Sequence, residues 1–118
     1  MKSVFGLFSA AFLVLALGCG DDVPGVGNWG VLVGGPCSNA TAHCADVSNC
    51  LTGKDFPEGS CSVPCHTDAD CPAGTACTDK EGGHCLLACD LTSQCRDRYE
   101  CKGVKRRDKS GEVLVCIE

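Results

Sequence analysis

Thirteen cysteines in 118 residues are the groups of this chain best equipped for chemistry. Thiolates at suitable spacing ligate metals, exchange electrons or close disulfides. The clearest stretch runs Cys65-His66-Thr67-Asp68-Ala69-Asp70-Cys71-Pro72-Ala73-Gly74-Thr75-Ala76-Cys77, followed by Cys85. Structural zinc sites favour two-residue gaps, which let both thiolates reach one tetrahedral ion. Every gap between cysteines here is three residues or longer, so neither a zinc knuckle nor a thioredoxin-type redox pair is expected. His43, His66 and His84 each adjoin a cysteine and read as exposed loop residues. Asp68 and Asp70 are the candidate calcium ligands, but no further carboxylate follows at the spacing a calcium loop uses. They read instead as turn residues bonding their own backbone. No Gly-x-Ser-x-Gly elbow occurs. The chain reads as non-enzymatic, with no catalytic residues, cofactor or metal.

Disulfide closure remains, and composition requires it. Residues 37–118 contain only 12 Leu, Ile, Val or Phe among 82 residues. Below about 20% of such residues a charged chain cannot offset its conformational entropy by burial. Closing a loop of about 15 residues contributes about 3 kcal/mol in the usual chain-entropy account, so several closures outweigh a weak core. The expected compartment is an oxidising one.

From Cys37 onward the cysteines fall into three sets of four: Cys37, Cys44, Cys50, Cys61; then Cys65, Cys71, Cys77, Cys85; then Cys89, Cys95, Cys101, Cys116. The first three cysteines of the second and third sets are in register at a shift of 24 residues, and three residues separate successive sets. Variation falls mainly in the last gap of each set, as a hairpin loop would allow. The second unit offers strands at 75–78 and 84–87 around Lys80-Glu81-Gly82-Gly83; the third offers 99–104 and 112–117 around Asp108-Lys109-Ser110-Gly111; the first turns at Phe56-Pro57-Glu58-Gly59. No amphipathic helix is evident. The fold class is therefore small and disulfide-rich, with three tandem four-cysteine units carrying short β-hairpins and little or no helix. The units span residues 37–61, 65–85 and 89–116. Pairing within units still leaves three connectivities for each.

The spacing of a cysteine, a polar five-residue loop, a second cysteine and a Gly-containing turn before a third resembles the first finger of the colipase, prokineticin and Dickkopf-type domains. The resemblance implies interleaved pairing: Cys37–Cys50, Cys44–Cys61, Cys65–Cys77, Cys71–Cys85, Cys89–Cys101 and Cys95–Cys116. It covers the four-cysteine motif and carries over neither hormone nor lipase-cofactor activity. The run Asp68-Ala69-Asp70-Cys71-Pro72 is similar to part of the whey-acidic-type protease inhibitors, which gives an alternative function.

The odd thirteenth cysteine lies at the N-terminus. Met1-Lys2-Ser3 is a positive start, and Val4 to Leu17 is apolar apart from Gly6 and Ser9. That length suits a signal-peptide core better than a membrane span. Ala16-Leu17-Gly18-Cys19 resembles the lipobox of bacterial lipoproteins, in which cleavage before the cysteine leaves it acylated. The resemblance implies a signal peptide at 1–18 and lipidation of Cys19. Residue 20 is Gly, not the Asp that retains some lipoproteins at the inner membrane, so the outer membrane or cell surface is favoured. Gly20 to Pro36 holds six glycines, two prolines and no cysteine and reads as a flexible tether, making 19–36 a lipidated, Gly-rich stalk. Within it, Trp29 is the only tryptophan; the stretch 28–33 reads as a flap packed on the first unit, or as an exposed aromatic contact.

Charge is unevenly spread. Residues 19–95 carry two lysines against ten acids, whereas residues 96–109 carry seven Lys or Arg against three acids. Lys105, Arg106 and Arg107 are the candidate contact for an anionic polysaccharide or protein partner; the competing reading is a solvated hairpin tip. An acidic exported chain does not suit nucleic acid. The sequence thus points to a membrane-anchored, extracytoplasmic binding or structural module. Its alternatives are a small protease inhibitor and a metal-thiolate protein.

Overall fold

A computed structural model gives the fold and describes residues 23–39 and 42–118. Residues 1–18, expected from sequence to be a signal peptide, and Cys19 lie outside the described residues. Six strands pair as three separate antiparallel hairpins: β1 (Asn49–Leu51) with β2 (Ser60–Ser62), β3 (Thr75–Thr78) with β4 (His84–Leu87), and β5 (Glu100–Lys105) with β6 (Glu112–Ile117). The remaining regular structure among the described residues is three single 3-10 turns, at Asp68–Asp70, Lys80–Gly82 and Thr92–Gln94. The fold is small and disulfide-rich, with six disulfides and short hairpins.

Each hairpin is pinned in the same way. Its two strands set a pair of cysteines directly opposite one another: Cys50 and Cys61, Cys77 and Cys85, Cys101 and Cys116. These opposed cysteines are not bonded to each other. They reach back to the loop before the hairpin, giving Cys37–Cys50 with Cys44–Cys61, Cys65–Cys77 with Cys71–Cys85, and Cys89–Cys101 with Cys95–Cys116. The loop is thereby clamped across both strands. The tight β3–β4 turn needs left-handed backbone at Glu81, Gly82 and Gly83 in succession. Two of these positions are glycines, which adopt it without steric cost.

The units are stitched together. The segment after β2 runs beside β4, with Cys85 N–H donating to Val63 O at 2.9 Å and Cys65 N–H to Gly83 O at 3.0 Å. Past β4, Cys89 N–H donates to Leu114 O at 3.2 Å. The end of β3 pairs with the chain leaving β5, through Asp79 N–H to Lys105 O and Arg107 N–H to Cys77 O. The third unit also returns to the first, where Glu118 N–H donates to Asp55 O at 3.1 Å.

One apolar cluster unites all three units. Leu51 and Phe56 come from the first, Ala76 and Leu86 from the second, and Tyr99, Val104, Val115 and Ile117 from the third. With so few large apolar residues, no unit can bury a core alone; pooling them gives Phe56, Leu86 and Val115 nearly complete burial. Full burial of such a side chain contributes about 1.5–3 kcal/mol.

Arg96 clasps the assembly from outside that core. Its Nε donates to Gly34 O at 3.1 Å, Nη1 to Pro57 O at 3.5 Å, and Nη2 to Gly59 O and to the Tyr99 hydroxyl. Its guanidinium carbon stands 4.4 Å from the centre of the Tyr99 ring, a cation–π distance. Tyr99 in turn donates to Pro57 O at 3.0 Å. Burial raises the Tyr99 phenol above its ordinary 10.0, so it remains a protonated donor.

The tether reading is corrected for residues 23–36, which form a folded arm. Gly34 N–H donates to Cys61 O at 2.8 Å and Cys61 N–H to Gly35 O at 2.9 Å. Val33 is 1% exposed and packs with Cys65, Cys77 and Cys85. The glycines serve close approach here. A Cβ on Gly34, whose φ is +110°, would collide with the Gly27 carbonyl and sit 2.7 Å from Leu87 Cδ1. The arm packs on the second unit as well as the first, so its partner is wider than the first-unit flap expected from sequence.

Candidate functional site

The acidic loop of the second unit and the basic loop of the third meet. Thr67 caps the 3-10 turn Asp68–Asp70, its hydroxyl accepting from Ala69 N–H at 3.2 Å. Asp70 Oδ2 accepts from His66 N–H at 2.8 Å and Thr67 N–H at 3.2 Å. Asp68 Oδ1 accepts from Cys77 N–H at 2.8 Å. Its Oδ2 faces Arg106 at 3.3 Å and Lys109 at 3.1 Å. Asp79, just past β3, faces Lys105 at 3.6 Å and Arg107 at 3.9 Å. All three candidate cations, Lys105, Arg106 and Arg107, therefore have acidic partners inside the molecule. Lys105 is the most open of them, its side chain 77% exposed.

The third unit explains what Asp68 and Asp70 are for. At the 24-residue shift their places are taken by Thr92 and Gln94. Gln94 Oε1 accepts from Asp90 N–H and Leu91 N–H, and Thr92 Oγ1 accepts from Cys101 N–H. These are the same backbone donors one repeat later. Uncharged side chains do the same work, so the position calls for a hydrogen-bond acceptor rather than a cation ligand. The charge of Asp68 adds the link to Arg106 and Lys109.

That link carries a pH dependence. The Asp68 carboxyl is held below its ordinary 3.8 chiefly by the Cys77 N–H, then by Lys109, with Arg106 assisting. Asp70 is held below 3.8 by the N–H groups of His66 and Thr67. Both folded values lie below the unfolded ones. Their contribution is thus complete above the unfolded value and is lost as pH falls through the folded values. Urea midpoints should show no loss from these groups between about pH 5 and 7 and a decline below about pH 4. In Asp68→Asn the amide oxygen still accepts from Cys77, so the decline should shrink while the neutral-pH midpoint drops only slightly. A neutral-pH loss as large as that of a core truncation would contradict this assignment.

The cysteines are compact but closed. Sulfurs of Cys37, Cys44 and Cys61, of Cys65, Cys71 and Cys85, and of Cys89, Cys95 and Cys116 lie within 4.8 Å of one another. All are disulfide-bonded, so in this state they present no thiolate to a metal. His84 departs from the loop expectation. It is 7% exposed in β4, its Nε2 3.0 Å from Asn49 Nδ2 and its Nδ1 3.3 Å from Lys80 O. A neutral ring with the proton on Nδ1 satisfies both contacts, and ties the first unit to the second.

Sequence reasoning missed Arg96 as a clasp, because the only signal is one basic residue in a basic segment. It offered exposure of Trp29 only as the second reading, and the ring is 77% exposed. Among the described residues no helix is long and apolar enough to cross a membrane. No protein-family profile, characterised protein or solved structure matches the chain.

Proposed function

We propose that this chain is an exported, lipid-anchored module whose task is structural or recognitive rather than catalytic. The observation that carries the reading is the closed, cross-linked body. Three units share one core, six disulfides clamp the hairpins, and the arm is bonded to the body at Val31, Gly34 and Gly35. Such a body suits an oxidising, extracytoplasmic setting. The lipobox-like Ala16-Leu17-Gly18-Cys19 supplies the attachment, acylation at Cys19 giving two or more chains for stable anchoring.

Lys105, Arg106 and Arg107 act in this reading as a brace between units, and an anionic polysaccharide or protein would have to compete with Asp68 and Asp79 for them. The inhibitor alternative needs an extended loop to enter a protease cleft. Asp68–Asp70 is instead a single 3-10 turn with both carboxylates bonded inward.

The test is fractionation of cells expressing the full chain and its Cys19→Ser variant. The full chain should sediment with membranes, dissolve in detergent and carry diacylglycerol mass on the peptide beginning at Cys19. The variant should lose that mass and leave the membrane. A wild-type chain with an unmodified Cys19 refutes the anchor.

A further inference from the structure

The arm exposes apolar side chains in a molecule that has few to spare. Trp29 is 77% exposed, Val31 48%, Val47 65% and Leu91 62%. Among the described residues these are four of the five large apolar side chains left open; the fifth is Leu114. Hydrogen bonds gather the four around the arm. Trp29 rides the turn closed by Gly30 N–H to Gly27 O at 2.9 Å. Ala45 N–H donates to Val31 O, and Ser48 Oγ to Leu32 O, both at 2.8 Å. These bonds fasten the turn bearing Val47 beside Val31. Asn28 Nδ2 donates to Gln94 O at 2.9 Å, joining the end of the turn that begins at Leu91 to the residue before Trp29. The scaffold beneath is fixed by Val33 and the Cys61 contacts. The exposure therefore belongs to a held surface, and apolar surface gathered in this way marks a contact site.

Position names the occupant. Cys19 precedes Val23 by four residues, at most about 14 Å of extended chain. An acylated Cys19 would bring the arm to the bilayer surface, where tryptophan rings settle at headgroup level. Acidic neighbours, Asp21 and Asp22 before the arm and Asp46 beside Val47, make the contact apolar rather than electrostatic. We propose that Trp29, Val31, Val47 and Leu91 form a crest that rests in the headgroup region of the membrane holding Cys19, fixing the orientation of the module. The proposal rests on the lipid-anchor reading and adds a second, non-covalent contact to it.

Trp29 is its own reporter. The purified, acylated full chain is placed in phosphatidylethanolamine–phosphatidylglycerol vesicles containing a lipid with a quencher near its headgroup. Trp29 emission should shift to shorter wavelength and lose about half its intensity or more, as expected at headgroup depth. The loss should persist from about 0.1 M to 1 M salt, over which the screening length falls from about 10 to about 3 Å. The Val47→Asp, Leu91→Asp variant keeps the reporter and changes only exposed side chains; it should keep its acyl mass and thermal midpoint while the quenching disappears. Acylated wild type with water-like, unquenched emission overturns the crest and leaves the anchor standing. Quenching unchanged in the double variant, or a crest protected by self-association at high protein-to-lipid ratio, also overturns it. Absence of acyl mass on the chain removes both readings.

Discussion

Reducing the six disulfides should unfold this protein completely at ambient temperature. Large aliphatic and phenylalanine residues are scarce across 37–118, and the core they form is assembled from three units that are held in shape by cross-links. Excess dithiol should abolish the near-ultraviolet circular dichroism and the resistance to trypsin together, because no unit has a core of its own to fall back on. Removing one bridge should be graded. The Cys71→Ser, Cys85→Ser variant opens a separation of 14 residues and the Cys95→Ser, Cys116→Ser variant one of 21. Each should cost about 2–5 kcal/mol, and loop entropy alone makes the second costlier by only about 0.4 kcal/mol. A markedly larger penalty at Cys95–Cys116 would locate the excess in the shared core, which those two cysteines join, whereas Cys71 and Cys85 pack with Val33 in a separate cluster. A reduced chain that keeps its protease resistance would show that the core, not the bridges, holds the fold.

The second large effect belongs to Arg96. Its side chain serves three carbonyls from two segments, Gly34 in the arm and Pro57 and Gly59 in the first hairpin, and also stacks on Tyr99. Hydrogen bonds from a charged donor are each worth about 1.5–3 kcal/mol, and their loss leaves acceptors unpaired. Tyr99 continues to serve Pro57 and Gly59, so Arg96→Ala should cost about 3–4 kcal/mol rather than the full sum. Arg96→Lys should recover little of it, because an ammonium cannot span the fork. Denaturant midpoints with the disulfides intact measure both variants, and amide exchange should quicken in the arm. Arg98, two residues on, is the control. It is exposed, and its φ of +75° is strained for a non-glycine residue. Its counterpart at the 24-residue shift is Gly74, with φ +88°. Arg98→Gly should be neutral or stabilising by about 1 kcal/mol. A cost at Arg98 equal to that at Arg96 would mean that basic charge in this segment, not the clasp, is what matters.

Much of the fold was legible, for identifiable reasons. Gly82-Gly83 between two short apolar runs signalled β3 and β4, and Glu-Val-Leu-Val-Cys-Ile signalled β6 over Glu112–Ile117. The scarcity of aliphatic residues signalled a disulfide-rich class. The spacing alone left the connectivity open; interleaved bridges are what the structure contains. The arm was legible only as a flap over 28–33; its full extent was not, because glycines that permit motion and glycines that permit close packing are the same letters. Only the collision a Cβ at Gly34 would meet separates the two. Arg96 was illegible because its acceptors are backbone carbonyls 37 to 62 residues away, and carbonyls leave no mark in a sequence. The burial of His84 was missed because it depends on Asn49 of another unit. For the candidate site, the acidic and basic loops were each visible, but nothing in their spacing reveals that they face each other.

The bond from Glu118 back to Asp55, with Ile117 and Phe56 in one cluster, bears on how this repeat protein can change length. Linear arrays tolerate gain and loss of copies because each copy touches only its neighbours. Here the third copy touches the first, so the arrangement behaves as a ring with three places. An extra copy inserted between the second and third would part Ile117 from Phe56 and draw Arg96 away from Gly59. Deleting the middle copy would strand the same contacts. Copy number in this molecule is therefore a property of its geometry, and drift in it should be far less tolerated than drift in the length of the hairpin loops.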